Sequence, residues 1–254
     1  MTRSRLIIAA AAVIVAVAIG GFVVYDQVLR GDSAAALALP TASTAPSAPT
    51  ASDVAAASGA SASSTGTSAA SAGDVAGTWN VAANSVAGYR VREQLANLPA
   101  ESDAVGRTDK VTGSITVDTS GTATTLTDAS LSVDMTSLAS DKTMRDNRLR
   151  REGLETDAFP TATFKLTAPF EVPAAALTGT PSDITLTGDL TVHGVTKSVQ
   201  IPAQAQLVDG TIQVAGSLTF PLSDYAIVAP NVGGFIVSIA DDGTLEFLVN
   251  FAKG

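Results

Sequence analysis

The feature that most constrains the fold is a period-two alternation of apolar and polar residues, which begins after Gly77. Between Ile184 and Val192 every second residue is apolar or glycine, and the residues between them are threonine or aspartate. Successive side chains of a β-strand point to opposite faces, so this pattern predicts a strand with one buried face. The alternation recurs in residues 162–168, 212–220 and 245–251.

Short turn sequences connect these stretches. Asp209-Gly210 and Asp242-Gly243 are dipeptides typical of tight β-hairpins, and residues 193–196 connect two further strands. Sequential strands are therefore expected to pair antiparallel. Strands of about ten residues with one apolar face suit either a closed up-and-down barrel or a two-sheet sandwich, and periodicity alone does not choose between them.

Residues 140–151 break the alternation and predict a short helix, which Gly153 would end. Oppositely charged residues four positions apart lie on the same face of a helix and support it. Two pairs have this spacing: Asp141 with Arg145, and Asp146 with Arg150.

An uncharged run near the N-terminus predicts a transmembrane helix. Residues 6–25 contain no charged residue, and a helix of that length spans ~30 Å, the thickness of a bilayer's hydrocarbon core. Arg3 and Arg5 precede the run, so the positive-inside rule places the N-terminus in the cytoplasm and the rest of the chain outside. The alternative is a cleaved signal peptide, but the nearest small-x-small site, Ala36-Leu37-Ala38, comes late.

The stretch that follows predicts a disordered tether. Residues 33–73 are almost wholly Ala, Ser, Thr, Pro and Gly, with Asp53 as the one charged residue. Such a composition cannot bury enough apolar area to offset the entropy of ordering. We therefore expect a linker that keeps the following domain close to the membrane.

Composition excludes several classes of function. The formal net charge is -9 at pH 7, whereas a nucleic-acid-binding face needs clustered basic residues that outweigh the acids. The chain has no cysteine, which excludes disulfides, thiol catalysis and thiolate metal sites. We therefore expect no nucleic-acid partner and no cofactor.

Two motifs have an ordinary and a functional interpretation. His193 is the single histidine, and we interpret it as a turn residue that bonds nearby backbone rather than as a metal ligand or base, because it has no companion ligand. Asp241-Asp242 before a glycine is interpreted as a hairpin turn rather than a calcium site.

Three stretches together resemble the YceI-like polyisoprenoid-binding domain family, over residues 77–251. Residues 190–199, LTVHGVTKSV, are similar to a hairpin motif of that family. Residues 144–164 are similar to its helix-to-strand passage, and the opening Gly77-Thr78-Trp79, with Ser85 and Tyr89, is similar to its first strand. The resemblance implies a lipocalin-like, eight-stranded antiparallel barrel with a helix near one end, whose lumen binds an isoprenoid chain.

Together these observations predict three parts: a transmembrane anchor in residues 1–30, a disordered Ala/Ser/Thr/Pro-rich linker in residues 31–74, and a YceI-like lipid-binding domain in residues 75–254. The domain is expected to be an all-β, lipocalin-like, eight-stranded antiparallel up-and-down barrel with a short helix.

Pattern alone leaves the interior of such a barrel open, because eight strands are just wide enough either to be filled by side chains or to hold one small ligand. The inward stripes mix bulky residues with small ones, such as Gly188 and Ala162, and the family resemblance favours a lumen. The residues expected to contact the lipid there are Tyr89, Phe164, Leu166, Leu186, Leu190, Val192, Leu218, Phe220 and Phe247.

A basic cluster stands out in this acidic chain and has two interpretations. It is either a solvated helix face, paired with neighbouring acids, or a contact for an anionic headgroup at the mouth of the barrel. The candidate headgroup contacts are Arg145, Arg148 and Arg151.

The leading hypothesis is a membrane-tethered, extracytoplasmic binding protein for a long-chain isoprenoid of polyprenol or quinone type. The alternative is a cell-envelope structural or protein-interaction domain with a filled barrel and no lipid. No catalytic constellation is recognisable, so we do not expect an enzyme. The sequence does not decide between a monomer and a homodimer.

Overall fold

The structure is a computed structural model that describes residues 33–40, 75–95, 101–229 and 236–254. The predicted transmembrane helix lies outside these residues, as does most of the predicted linker. Among the residues described, no helix is both long enough and apolar enough to cross a bilayer.

The described part of the barrel domain contains twelve strands and one α-helix. The helix α1 is Thr143–Arg148. The strands are β1 Gly77–Val81, β2 Val86–Leu95, β3 Ser102–Thr108, β4 Val111–Asp118, β5 Thr125–Asp134, β6 Thr161–Leu166, β7 Phe170–Glu171, β8 Ser182–Val192, β9 Val195–Val208, β10 Thr211–Pro221, β11 Ile236–Ile239 and β12 Asp242–Lys253.

Eight of these strands close a barrel. β1, β4, β5, β6, β8, β9, β10 and β12 pair in that order, and β12 pairs back to β1. β2 follows β1 along β12, and β3 leads into β4 through two residues, so each of these pairs forms one interrupted wall strand. All pairings are antiparallel, and the closure of β12 on β1 confirms the predicted eight-stranded barrel and rules out the sandwich. Asp241-Asp242-Gly243, predicted as a hairpin turn, does not join two paired strands, because β11 pairs with β2 and Asp242 already begins β12.

The strand faces follow the sequence pattern. In β8 the inward residues from Leu186 to Val192 are buried, and the threonines and aspartate between them are not. In β6, Ala162, Phe164 and Leu166 are buried and their neighbours exposed. The predicted one-sided strands are confirmed, because alternation assigns each side chain to a face independently of its partners.

The predicted short helix is also confirmed, with one correction to its ion pairs. Arg145 pairs with Asp141 as expected. Asp146 does not pair with Arg150: its Oδ1 instead accepts hydrogen bonds from Ser140 N at 3.0 Å and Ser140 Oγ at 2.6 Å. Arg150 lies beyond the end of α1, in a π-helical turn from Leu149 to Gly153. The wider turn removes the four-residue spacing on which the predicted pair depended.

Residues 33–40 fall within the predicted linker, yet they contact the outer wall of the barrel. Ser33 Oγ lies 3.2 Å from the carbonyl oxygen of Asp103, on β3. The Arg90 side chain, on β2, donates a hydrogen bond of 2.6 Å to the carbonyl oxygen of Ala34. At least this part of the linker has a defined place on the domain.

Candidate functional site

One end of the barrel encloses a cavity of about 1010 Å³. Its walls are the parts of β2, β3, β5, β6, β8, β10 and β12 nearest α1, and α1 with the following π-helical turn lies over the opening. We call this opening the mouth. The apolar residues that line the cavity include Ala87, Tyr89, Val91, Ala104, Val133, Ala162, Val192, Phe220, Ile227 and Leu245.

Small side chains account for the space. Ala87, Ala104 and Ala162 are buried, at 3%, 5% and 5% exposure, and all three line the cavity. An eight-stranded barrel needs bulky inward residues to fill it. At these positions a methyl group stands where a branched or aromatic side chain would otherwise reach the barrel axis, so this end stays hollow.

The opposite end is packed, with an internal space of only about 70 Å³. Trp79 is buried there and donates a hydrogen bond of 2.8 Å from Nε1 to the carbonyl oxygen of Val75. Phe251 and Val249 are almost completely buried in the same core. This end holds side chains rather than a ligand-sized cavity.

Two phenylalanine rings, Phe164 and Phe247, border the packed end on the side of the cavity, and we call them the floor. A methyl group on Gly188 would lie 2.5 Å from the Phe164 ring, and one on Gly216 would lie 2.8 Å from the Phe247 ring. Glycine at these two positions therefore lets the rings lie against the wall. Both rings line the small space of the packed end, and neither lines the cavity.

The mouth is held by charged groups. Arg145 of α1 forms an ion pair with Glu93 of β2, whose side chain is only 4% exposed, and a second with Asp141. Burial alone would raise the pKa of Asp141, but the hydrogen bond and positive charge of Arg145 lower it below its usual value. These contacts attach α1 to the barrel wall beside the cavity.

Tyr89 contributes an aromatic wall rather than a polar contact. Its ring lies against Gly106 of β3, where a methyl group would come within 2.3 Å of Tyr89 Cε1. The hydroxyl is buried and has no hydrogen-bond partner among the residues that the structure describes. Burial therefore raises the pKa of Tyr89 well above its usual value.

The structure separates the predicted lipid contacts into three groups. Tyr89, Val192 and Phe220 line the cavity. Phe164, Leu186 and Phe247 line the small space of the packed end. Leu166, Leu190 and Leu218 line neither space but belong to or pack against the same apolar core. The alternation placed these side chains inside the barrel without indicating their depth.

The predicted headgroup contacts all lie at the mouth. Arg145, Arg148 and Arg151 line the cavity opening, together with Lys142. Arg145 forms ion pairs with Glu93 and Asp141, whereas the side chain of Arg151 is exposed to solvent. The sequence prediction named none of the three small wall residues as a lipid contact. The sequence does indicate them, because each is an alanine at an inward position of an alternating strand, near the end of that strand.

His193 lies in the turn between β8 and β9, as predicted. Its backbone has a φ of 50°, its Nδ1 lies 3.1 Å from the carbonyl oxygen of Tyr225, and its Nε2 lies 3.0 Å from Glu155 Oε2. The described ranges contain no cluster of three or more His, Asp or Glu side chains that could hold a metal ion.

Comparison with solved structures finds the same fold. A polyisoprenoid-binding domain from Saccharophagus degradans, implicated in plant cell wall breakdown, is 20% identical with a TM-score of 0.54, covering 70% of this chain and 99% of that domain. BcnA from Burkholderia cenocepacia is 22% identical with a TM-score of 0.50, covering 66% of this chain and 96% of that protein. No curated protein sequence matched the chain in a direct comparison.

A family model described as the YceI-like domain matches residues 59–251. The match begins inside the predicted linker and includes all three stretches on which the resemblance rests. It covers well over half of the chain, and the closed barrel with one short helix agrees with it. This chain therefore belongs to the YceI-like domain family.

Proposed function

We propose that the barrel domain binds an isoprenoid lipid, of polyprenol or quinone type, with its hydrocarbon chain in the cavity. The observation that carries this proposal is the apolar cavity of about 1010 Å³ beside α1. Cavities for small molecules are typically ~300–1,000 Å³ and mostly apolar. The similar domain from Saccharophagus degradans is a polyisoprenoid-binding domain, which supports the choice of ligand class.

The same proposal includes membrane attachment. The uncharged residues 6–25 anchor the chain, and the barrel stands on the extracytoplasmic side. Burying an isoprene unit releases at most about 4 kcal/mol relative to water, at roughly 0.8 kcal/mol per carbon. Relative to a bilayer the gain is near zero, because acyl chains are equally apolar. An anchor offsets this by raising the effective concentration of the barrel at the membrane.

An anionic headgroup would meet Arg151, which is exposed at the mouth. Guanidinium groups bind phosphate oxygens through paired hydrogen bonds. We expect Arg151→Gln to weaken binding of farnesyl diphosphate and to leave binding of farnesol unchanged, as measured by competition with a fluorescent prenol. Equal weakening of both ligands would favour a solvated helix face instead.

Lipid extraction tests the proposed ligand. The full chain is purified in detergent, extracted with organic solvent and examined by mass spectrometry, with Ala162→Trp as a variant that places a bulky ring inside the cavity. Thr163→Trp is the matched control, because Thr163 is the next residue of the same strand and lies on the exposed outer face.

We expect an isoprenoid to copurify with the original chain and with Thr163→Trp, and to be lost from Ala162→Trp. Absence of isoprenoid from the original chain, together with no binding of added geranylgeraniol, would contradict the proposal. That outcome would favour a structural or protein-interaction domain.

A further inference from the structure

Residues 33–40, which we call the strap, lie on the outer wall formed by β2, β3 and β12. Ser33 Oγ accepts a hydrogen bond of 3.1 Å from Asp103 N and lies 3.2 Å from Asp103 O. The carbonyl oxygens of Ala34 and Ala35 accept hydrogen bonds from Arg90 and Arg107. Further along, Leu39 is buried at 6% exposure. The strap is thus held by both polar and apolar contacts.

The two arginines that hold the strap are themselves fixed in place. Arg107 Nη2 lies 2.7 Å from Glu246 Oε1, and Arg90 Nη1 lies 2.9 Å from Asp103 Oδ2. Glu246 is on the outer face of β12, yet its side chain is only 3% exposed. Charged groups of this kind are rarely buried unless they are paired, and Glu246 is paired with both Arg107 and Arg90.

The strap has a direction relative to the mouth. Asp103, which bonds Ser33, pairs with Arg92, the residue next to Glu93 at the mouth. Arg107, which bonds Ala35, lies four residues further along β3, or about 13 Å further from the mouth at ~3.3 Å per residue. Ser33, the first described residue of the strap, therefore lies nearer the open end of the barrel than Ala35 does.

This direction limits how far the mouth can lie from a membrane. Residues 26–32 are all that separates the predicted helix from the strap. Seven residues span at most about 25 Å even when fully extended. If residues 6–25 cross the bilayer, Ser33, on the wall beside the mouth, lies within about that distance of the bilayer surface.

The surface around the mouth suits contact with lipid. Among the residues described, three large hydrophobic side chains are exposed: Met144 at 82%, Val228 at 72% and Val208 at 36%. Met144 is on α1, and Val228 stands between two residues that line the cavity. Residues 141–152 carry five basic and three acidic side chains in a chain whose net charge is -9. On the side of α1, the mouth therefore combines an exposed methionine with a local excess of positive charge.

We infer that the barrel rests with its mouth on an anionic bilayer surface, with Met144 and Val228 in the interface and the strap fixing this orientation. Basic side chains are attracted to anionic headgroups, and exposed apolar groups enter the boundary with the acyl chains. In this orientation an isoprenoid passes between bilayer and cavity without crossing water. The inference rests on the proposed membrane anchor but does not require that any particular lipid be bound.

A cysteine-free chain allows a direct test, because one introduced cysteine gives one labelled site. Val228→Cys at the mouth and Val208→Cys at the packed end are labelled separately with an environment-sensitive nitrobenzoxadiazole fluorophore. Val208 is the matched control, since both residues are exposed valines. The full-length protein is reconstituted into vesicles of phosphatidylcholine with phosphatidylglycerol, and into vesicles of phosphatidylcholine alone.

We expect a blue shift and a several-fold rise in emission for the label at residue 228, larger with phosphatidylglycerol, and no change at residue 208. If the protein floats with the vesicles but the label at residue 228 stays in water, the orientation is wrong while the anchor stands. If the protein does not float with the vesicles, both fail. Isoprenoid content, measured on the same samples, reports on lipid binding independently.

A second variant tests the strap. Leu39→Asp places a charge at a buried apolar position of the strap and leaves the barrel core unchanged. We expect this variant to remain anchored and folded, but to lose most of the blue shift at residue 228. A full blue shift in Leu39→Asp would show that the strap does not orient the barrel.

Discussion

The two ends of the barrel are built from the same strands, yet one end is hollow and the other is filled. The hollow end contains about 1010 Å³ of space and the packed end about 70 Å³. At the hollow end the inward wall residues include Ala87, Ala104 and Ala162. At the packed end they include Trp79 and Phe251. The size of the inward side chain at each level decides whether an alternating strand encloses a core or a cavity.

The ends also differ in what holds them. Apolar contacts hold the packed end, whereas the hollow end is covered by a helix that Arg145 joins to Glu93 and Asp141. Burial of apolar area stabilises the folded state without requiring a particular orientation of two groups. An ion pair is favourable only while both partners are present. We therefore expect the two ends to respond differently to substitution, to charge removal and to pH.

The largest expected difference comes from truncating one phenylalanine at each end. Phe251→Ala removes a ring that is 2% exposed in the packed core and should lower the free energy of unfolding by about 3–5 kcal/mol. Phe220→Ala removes a ring that already borders the cavity and should cost clearly less. Urea denaturation measures both. Equal losses would mean that the hollow end is as well packed as the other.

Removal of the positive charge at the mouth should have the next largest effect. Arg145→Met leaves the carboxylate of Glu93 buried without its partner, which should lower the free energy of unfolding by about 2–3 kcal/mol. Lys142→Met is the control, because Lys142 is exposed on the same segment. Adding Glu93→Gln to Arg145→Met should restore part of the loss. No recovery in the double variant would show that the ion pair is not the cause.

A third comparison uses one glycine from each end. A methyl group on Gly188 would lie 2.4 Å from the carbonyl oxygen of Lys165, and Gly188→Ala should lower the free energy of unfolding by about 1–3 kcal/mol. On Gly243, which lines the cavity, the nearest atom is Leu222 Cδ2 at 3.0 Å. That side chain can move into the cavity, so Gly243→Ala should be nearly neutral. Urea denaturation measures the free energy of unfolding of both variants. A loss for Gly243→Ala as large as that for Gly188→Ala would contradict this prediction.

The smallest expected effect is a response of the hollow end to acid. Arg145 lowers the pKa of Asp141 against the opposing effect of burial. A carboxyl group whose pKa is lower in the folded than in the unfolded state stabilises the folded state. This contribution is fully present at a pH above the unfolded pKa of ~3.9, and it is lost as the pH falls through the folded pKa. Hydrogen exchange of α1 should therefore increase at low pH before exchange of β4 does. In Asp141→Asn this early increase should disappear.

Much of the fold could be predicted because it depends on local pattern. Alternation along β6 and β8 predicted the buried face of each strand, and Asp209-Gly210 predicted the antiparallel pairing of β9 with β10. The predicted hairpin at Asp242-Gly243 was wrong: these residues begin β12 and pair with β10, because the preceding strand β11 pairs with β2 instead. The loss of alternation after Ser140 correctly predicted the short helix. The predicted pair of Asp146 with Arg150 failed because it assumed regular α-helical spacing, and the chain adopts a π-helical turn at Leu149.

The candidate site was predicted less completely. Tyr89, Val192 and Phe220 were expected in the lumen and line the cavity, whereas Phe164 and Phe247 were expected there too and form its floor. All five have inward positions in alternating strands. Nothing in the alternation distinguishes a side chain near the mouth from one near the packed end, because that depends on how the strands are staggered against each other.

By itself the sequence determined which side chains point into the barrel, where the strands turn, where the helix lies and which family the chain resembles. These properties depend on neighbours within a few residues. Only the tertiary structure decided the depth of each inward residue, the burial of Glu93 beneath Arg145 and the path of the strap toward the mouth. Those depend on register between strands and on contacts between distant segments, such as Ser33 with Asp103, which no local pattern encodes.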